Sequence, residues 1–262
     1  MFDVKVENLR FSYDKELILD KINMEIKAGD FVCILGQSGC GKSTFLRLAA
    51  GLEKPDSGNI FIDRSPIDGP SLSRGVVFQD YSLFPWFTTG KNITLSLSQK
   101  YKDESKAVLK ERALYFIKEV GLDESVFYKY PHELSGGMRQ RCAICRSFAL
   151  DPPVLLMDEP FGALDAITRA RLQNLVLELW QKDKEKRKTI FFVTHDVDEA
   201  ILLSTKIFVF GSSPSNVIYT YAFEDKKGFT RENIFENESI IELRNKLIHI
   251  LNKDIEKRIN EN

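Results

Sequence analysis

A glycine-rich loop that directly follows a short apolar segment constrains the fold of this chain more than any other feature. Residues 31–35 form a continuous apolar run, which is typical of a buried parallel strand. The next residues fit the pattern G-x-x-x-x-G-K-[ST] and lead into an apolar helical segment: Gly36, Gln37, Ser38, Gly39, Cys40, Gly41, Lys42, Ser43 and Thr44. Because glycines let the backbone curl around phosphates, we predict a phosphate-binding loop. Lys42 is expected to reach the β- and γ-phosphates, and the Ser43 hydroxyl to ligate Mg²⁺.

Two further apolar runs, residues 154–157 and 190–193, also predict buried strands, and an apolar stripe at helical spacing follows Asp165. Strands alternating with helices indicate an α/β core with a parallel sheet, whose ligands lie at the carboxyl ends of the strands. Asp158 and Glu159 follow the first run, and His195 follows the second. We predict that Asp158 holds the Mg²⁺ shell and that Glu159 polarises the attacking water.

Three further residues are candidates for the site. A lone histidine is usually structural, but its place after a strand favours a role for His195, which would bond the γ-phosphate or orient Glu159 and the water. Gln79 follows the apolar residues 76–78 and offers an amide to Mg²⁺ or water without adding charge. Tyr13 ends an N-terminal strand, where an aromatic side chain either joins the core or stacks on adenine.

A second candidate anion site lies in residues 134–141, Leu-Ser-Gly-Gly-Met-Arg-Gln-Arg. Ser135, Gly136 and Gly137 open a predicted helix, so they present a hydroxyl and unobstructed N–H groups at its positive end. If the helical region lies apart from the phosphate loop, these residues cannot easily reach the phosphates of their own chain. Head-to-tail pairing of two copies would bring them to the ATP of the other copy.

The pattern along the chain predicts further subdivisions. Apolar residues alternate with period two at Val4 and Val6 and again at 22, 24 and 26, which predicts antiparallel strands with one buried face. Residues from about 80 to 150 are predicted to form an inserted α-helical subdomain. The pattern is lost after about residue 212 and ends in an amphipathic stretch, where a helix packed on the body is favoured over a regulatory domain. Residues 182–188 are predicted to form a solvated turn.

Composition excludes several classes of protein. The 37 basic and 38 acidic residues give a net charge of -1, which argues against a nucleic-acid-coating surface. No run approaches the roughly 18 apolar residues of a membrane span, and the N-terminus does not resemble a signal peptide, so we expect a cytoplasmic chain.

Cys142 and Cys145 form a C-x-x-C within a helical apolar pattern, which indicates buried thiols rather than a zinc site. Cys40, inside the phosphate loop, is hypothesised to be sensitive to oxidation.

The order of these elements over residues 1 to about 212 resembles the ATP-binding subunits of ABC transporters. The matching elements are the phosphate loop, Gln79, Leu-Ser-Gly-Gly, Asp158-Glu159, Ala163-Leu164-Asp165 and His195. The resemblance implies an α/β P-loop NTPase core with an N-terminal antiparallel β-subdomain and an inserted α-helical subdomain. An ABC ATPase domain would span residues 1–212, and a tail with an amphipathic helix would span 213–262.

The resemblance also implies roles and ligands. Tyr13 would stack on adenine, Gln79 would link ATP to a membrane partner, and Asp165 would cross the interface of a dimer. Ser135, Gly136 and Gly137 would contact the opposite ATP. The cofactors implied are ATP and Mg²⁺.

Finer sequence features are similar to the importers of nitrate, sulfonate, taurine and related compounds. They are Phe-Gln-Asp at 78–80, Leu-Phe-Pro-Trp at 83–86, and residues 158–165 and 194–200. This branch implies a second copy of the chain, permease subunits docked near residues 79–87, an extracytoplasmic solute-binding protein, and a place at the cytoplasmic face of the membrane. Residues 88–93 and Cys145 depart from the commonest form, and the ATPase subunit never meets the solute, so the solute stays open.

Other classes fit less well. A DNA-acting ABC ATPase would carry long coiled coils or zinc modules, and translation-acting relatives usually fuse two ATPase units. A P-loop kinase or switch GTPase needs no Leu-Ser-Gly-Gly. A subunit of an exporter is the closest rival.

Overall fold

The computed structural model describes residues 2–162, 164–183, 185, 187–224, 231 and 233–261, without the side chains of 235 and 257–261. Ala163 and parts of the predicted turn and tail therefore lie outside the described residues. The strands are β1 (Val4–Tyr13), β2 (Glu16–Ile26), β3 (Phe31–Leu35), β4 (Ser57–Ile62), β5 (Ser65–Pro66), β6 (Arg74–Val77), β7 (Val154–Asp158), β8 (Thr189–Thr194), β9 (Lys206–Phe210) and β10 (Val217–Ala222). The α-helices are α1 (Lys42–Ala50), α2 (Thr89–Lys100), α3 (Lys106–Glu119), α4 (Gly136–Ala149), α5 (Ala166–Gln181), α6 (Val197–Leu203) and α7 (Glu238–Glu261). Short 3-10 turns lie at Glu124–Tyr128, Pro131–Glu133 and Ile234–Glu236.

The chain divides into two compact units, the first made of Met1–Pro70 with Thr189–Asn262 and the second of Ser71–Lys188. In the first unit, β2, β1, β4 and β5 form an antiparallel sheet in that order. Val4 lies opposite Ile26 and Val6 opposite Met24, and all four side chains are buried. The antiparallel strands predicted from the period-two pattern are thereby confirmed.

The first unit also contains the parallel strands β9, β3 and β8, with β10 antiparallel to β9. Leu35 pairs with both Thr194 and Val209, so the three parallel strands end at one edge. Helix α1 lies against them through Phe45, whose ring centroid is 6.3 Å from that of Phe191 and 5.7 Å from that of Phe210. Every residue of β3 is buried, as its unbroken apolar sequence predicts.

In the second unit, β6 and β7 pair in parallel, with Val77 opposite Met157. Helices α2, α3 and α4 enclose an apolar cluster whose buried members include Ile93, Leu97 and Ala113. Ser105 caps α3 by accepting a hydrogen bond from the N–H of Val108. The helical character predicted for residues about 80–150 is present, and α5 begins after Asp165 as predicted.

Several elements differ from the sequence-based expectation. Strands β4, β5, β9 and β10 and helix α2 were not predicted, and the loss of pattern expected after about residue 212 is wrong for residues 217–222. Residues 93–98 alternate apolar and polar like a strand but form a helix, because Ile93 and Leu97 bury together in the cluster of the second unit.

The amphipathic end of the chain forms α7, as predicted. Ile240, Leu243 and Leu247 are buried along one side of this helix. Among the described residues, no helix combines the length and the apolarity that crossing a membrane requires.

Candidate functional site

The phosphate loop runs from the end of β3 to the start of α1, as predicted. Gly41 precedes the helix with a φ of 91°, and a Cβ there would lie 2.9 Å from Leu19 Cδ2, so only glycine fits. The Lys42 side chain is 5% exposed and folds back, with Nζ donating to the carbonyl oxygens of Gly36 at 2.9 Å and Gln37 at 2.7 Å. An ammonium held over the loop carries the charge that a phosphate needs.

Cys40 sits within this loop but is buried. The residue is 2% exposed, and burial raises the pKa of its thiol from the ordinary value. The thiolate is the reactive form, so the structure disfavours the oxidation sensitivity hypothesised from the sequence.

His195 lies next to the phosphate loop within the first unit. The N–H of Gly36 donates to the carbonyl of Thr194 at 3.4 Å, so the loop and the histidine leave adjacent strands side by side. Thr194 donates to Glu199 Oε2 at 2.6 Å and accepts from the N–H of Asp196 at 3.1 Å. The exposed His195 is thus held between a buried strand end and the first turn of α6.

Tyr13 ends β1 in the first unit, with 42% of its surface exposed. Its ring meets that of Phe11 edge-on at 4.8 Å between centroids. The partial exposure of Tyr13 is compatible with the stacking role expected from the sequence.

In the second unit, the ends of β6 and β7 bring three predicted residues to one edge. Val77 pairs with Met157, so Gln79 follows one strand, and Asp158 and Glu159 lie at the end of the other. Gln79 is exposed, whereas Asp158 and Glu159 are half-buried. Glu159 has a φ of 41°, a left-handed conformation that costs a non-glycine residue free energy and that often marks functional sites.

Ser135, Gly136 and Gly137 form the start of α4, as predicted. Ser135 caps the helix by accepting a hydrogen bond from the N–H of Met138 at 3.3 Å. A Cβ on Gly137 would lie 2.7 Å from Thr168 Cγ2, so this turn packs closely on the start of α5. Asp165 caps α5 by accepting from the N–H groups of Ile167 and Thr168, and the hydrogen bonds from Thr168 lower the pKa of its carboxyl.

Sequence reasoning assigned no role to several residues that connect these segments within the second unit. Gln140 is buried, and its Nε2 donates to the carbonyl of Pro160 at 2.6 Å, which ties α4 to the residue after Glu159. Arg146 Nη1 donates to the carbonyl of Ser82 at 2.6 Å, and the Arg139 guanidinium lies over the Tyr81 ring. The only sequence signal for Gln140 was its place in Leu-Ser-Gly-Gly-x-x-Gln.

These donor sets suit a magnesium nucleotide. Mg²⁺ prefers oxygen ligands and shares its shell between a few side chains, waters and phosphates. The first unit offers the hydroxyl oxygen of Ser43, and the second offers the carboxylate of Asp158 and the amide oxygen of Gln79. Within the part of the chain that the structure describes, no three His, Cys, Asp or Glu side chains group to bind a metal unaided.

Comparisons with known proteins all point to the same protein family. The family model described as "ABC transporter" matches residues 19–162. An uncharacterized ABC transporter ATP-binding protein of Methanocaldococcus jannaschii is 43% identical over 260 residues, covering 98% of this chain and 94% of that protein. An aliphatic sulfonates import ATP-binding protein of Bacillus cereus is 44% identical over 232 residues, covering 88% of this chain and 87% of that protein.

Two solved structures are similar in fold. An ATP-binding cassette solved as a dimer in a post-hydrolysis state with ADP and Pi has a TM-score of 0.75 and 33% identity, covering 85% of this chain and 99% of that one. A component of the cbiONQ ABC transporter complex of Clostridium perfringens has a TM-score of 0.71 and 32% identity, covering 84% and 88%. These likenesses confirm the α/β P-loop NTPase fold class that the sequence predicted.

Proposed function

The chain belongs to the ABC transporter ATP-binding family and is an ATPase, and from this premise we propose that it powers an importer. Two copies close on two ATP molecules, and closure moves permease subunits that carry a small solute inward. The observation that carries the catalytic part is the pairing of β6 with β7, which sets Gln79, Asp158 and the left-handed Glu159 at one edge.

In the proposed mechanism, each catalytic residue has one task. Lys42 releases the loop carbonyls and binds the β- and γ-phosphates. Glu159 accepts the proton of the attacking water, and His195 donates a hydrogen bond toward the γ-phosphate. Ser43, Asp158 and Gln79 would hold Mg²⁺, which would neutralise charge on the phosphates.

The proposed second copy supplies the other side of each nucleotide. Ser135 and the first N–H groups of α4 form a positive helix end, which favours a phosphate from the partner's ATP. Asp165 is proposed to lie at this interface, and Tyr13 to stack on adenine. The dimer of the solved cassette with ADP and Pi supports this arrangement.

A cluster of aromatic residues supports docking of a permease. Trp86 is 66% exposed, and its ring lies 5.6 Å from that of Phe84 and 6.2 Å from that of Phe87 between centroids. Exposed aromatic clusters are typical of protein interfaces. The segment is joined to the first part of α4 through Arg139 and Tyr81, so a docked permease would sense the nucleotide state.

We further propose that the importer takes up a small nitrate-, sulfonate- or taurine-like solute with the help of an extracytoplasmic binding protein, and that the chain works at the cytoplasmic face of the membrane. The support is the sequence of residues 78–86 and 158–165 together with the sulfonate-import relative of Bacillus cereus. The transported solute is set by the partners, because the ATPase does not contact it.

Affinity purification from detergent-solubilised membranes of the source cells tests the proposal. The expected result by mass spectrometry is co-purification of a polytopic permease, together with a solute-binding protein. A Trp86→Ser variant tests the aromatic docking surface in the same experiment. It should no longer co-purify with the permease but should retain ATP turnover. A permease without any binding-protein partner would favour export, and recovery of only soluble proteins or nucleic acid would refute the transport role.

A further inference from the structure

In the first unit, helix α7 contacts the segments that directly follow the three parallel strands β3, β8 and β9. Gln37 Nε2, just after β3, donates to the carbonyl of Leu251 at 3.3 Å. Ser212, just after β9, donates from its N–H at 2.8 Å and its hydroxyl at 2.6 Å to Asp254 Oδ2. Simple apolar packing would require neither of these polar contacts.

The third contact reaches the segment after β8, which holds His195. Arg244 Nε donates to Asp198 Oδ1 at 2.6 Å, and Nη2 donates to Oδ2 at 3.2 Å. Two parallel bonds between a guanidinium and a carboxylate fix orientation as well as distance. Asp198 lies in the first turn of α6, three residues after His195.

Hydrogen bonds connect this first turn of α6 to the end of β8, so a shift of Asp198 would also shift His195. Asp196 caps α6 by accepting from the N–H groups of Asp198 at 2.8 Å and Glu199 at 3.0 Å. Its own N–H donates to Thr194, on the other side of the histidine. The backbone around His195 is therefore bonded on both sides.

The contact residues of α7 share one face of the helix. Arg244, Leu251 and Asp254 are seven and three residues apart, a spacing that places all three on one side of the helix, where Leu251 contributes its backbone carbonyl. At 1.5 Å per residue, Arg244 and Asp254 lie about 15 Å apart along the axis. The buried Leu243 and Leu247 hold this helix in place.

We infer that Arg244 is a positioning residue for ATP hydrolysis, which orients His195 by fixing Asp198 to a helix that also contacts the phosphate loop. The inference rests on the role proposed above for His195. It gives the C-terminal helix a function in catalysis rather than only in stability. The side chains of Arg244 and Asp198 are 40% and 45% exposed, so we expect the pair to add little to the stability of the fold, and a loss of turnover in an Arg244 variant would reflect positioning.

Four point variants of the full chain test this inference, because truncating α7 would expose its buried leucines. Arg244→Ala should lower kcat for ATP about fivefold, a fraction of the roughly 100-fold that a 1 Å misplacement can cost. The Kd for ATP should change less than about twofold, since the phosphate loop is untouched. Arg244→Lys should recover part of the kcat, because one charged contact to Asp198 remains.

Lys246→Ala is the matched control on the same helix. Its ammonium lies over the Tyr219 ring of β10 at 4.6 Å rather than against Asp198, so its removal should leave kcat unchanged. Phosphate release gives kcat, titration calorimetry gives Kd, and thermal denaturation verifies that each variant is folded. Equal kcat in Arg244→Ala and Lys246→Ala would overturn the inference.

His195→Ala separates the two claims. A nearly inactive His195→Ala beside a fully active Arg244→Ala refutes the positioning role alone. Full turnover in His195→Ala refutes the role proposed for the histidine, and the inference falls with it.

Discussion

Two adjacent glycines at the start of α4 give a sharp test of the packing that holds the Leu-Ser-Gly-Gly segment. A Cβ added at Gly137 would lie 2.7 Å from Thr168 Cγ2, closer than side chains tolerate. A Cβ added at Gly136 would lie 3.6 Å from Tyr81 Oη, which is an ordinary contact. The two substitutions to alanine therefore share their backbone effect and differ in one steric contact.

Two opposing free-energy terms determine whether each substitution stabilises or destabilises the protein. Replacing glycine by alanine within a helix gains up to about 1 kcal/mol, and less in the first turn. Overpacking a closely packed contact costs about 1–3 kcal/mol. Gly137→Ala should therefore lower the free energy of unfolding by about 1 kcal/mol, whereas Gly136→Ala should leave it unchanged or raise it slightly.

Equilibrium urea unfolding followed by circular dichroism measures this difference. With slopes of about 1–3 kcal/mol/M, a loss of about 1 kcal/mol lowers the midpoint by roughly 0.3–1 M. Thr168→Ser removes the clashing methyl but keeps the hydroxyl, so adding it to Gly137→Ala should restore stability to that of Thr168→Ser alone. Equal midpoints for the two glycine variants, or no recovery in the double variant, would refute the steric argument.

Other predictions concern the chemistry of the site. Glu159→Gln should retain ATP binding but lose about 100-fold or more of its turnover and accumulate dimer, as gel filtration with ATP and phosphate release would report; turnover like that of the unaltered chain would remove Glu159 from the role of base. Lys42→Ala should weaken ATP binding at least about tenfold in a calorimetric titration, and an unchanged affinity would count against the phosphate-loop assignment. Burial raises the pKa of Cys40 and raises that of Cys142 to about 12. Both thiols should therefore react slowly with iodoacetamide at pH 8 and faster as pH rises, with rapid reaction in urea as the control; labelling at the rate of a free thiol would contradict this burial.

Several elements of both units could be predicted from the sequence because their signals are local. The unbroken apolar run of β3 and the glycines after it depend only on neighbours in the chain. The start of α4 at Ser135 and of α5 at Asp165 follows from side chains that cap the N–H groups two or three residues on.

The elements that were missed depend on distant contacts. Strand β10 is half exposed and gains its structure by pairing with β9. Helix α2 carries strand-like alternation, and its Gly90 lies against Phe127, which is far away in sequence. In both elements, contacts with residues far away in the sequence override the local propensity for helix or strand.

The family, the fold class and the charged and hydroxyl-bearing residues of the candidate site could be predicted from the sequence, because those signals come from residue type and local spacing. The burial of Cys40, the left-handed conformation of Glu159 and the pairing of Arg244 with Asp198 across 46 residues become visible only in the folded chain. Contacts between segments far apart in the chain depend on how helices and strands pack, and no local pattern encodes that packing.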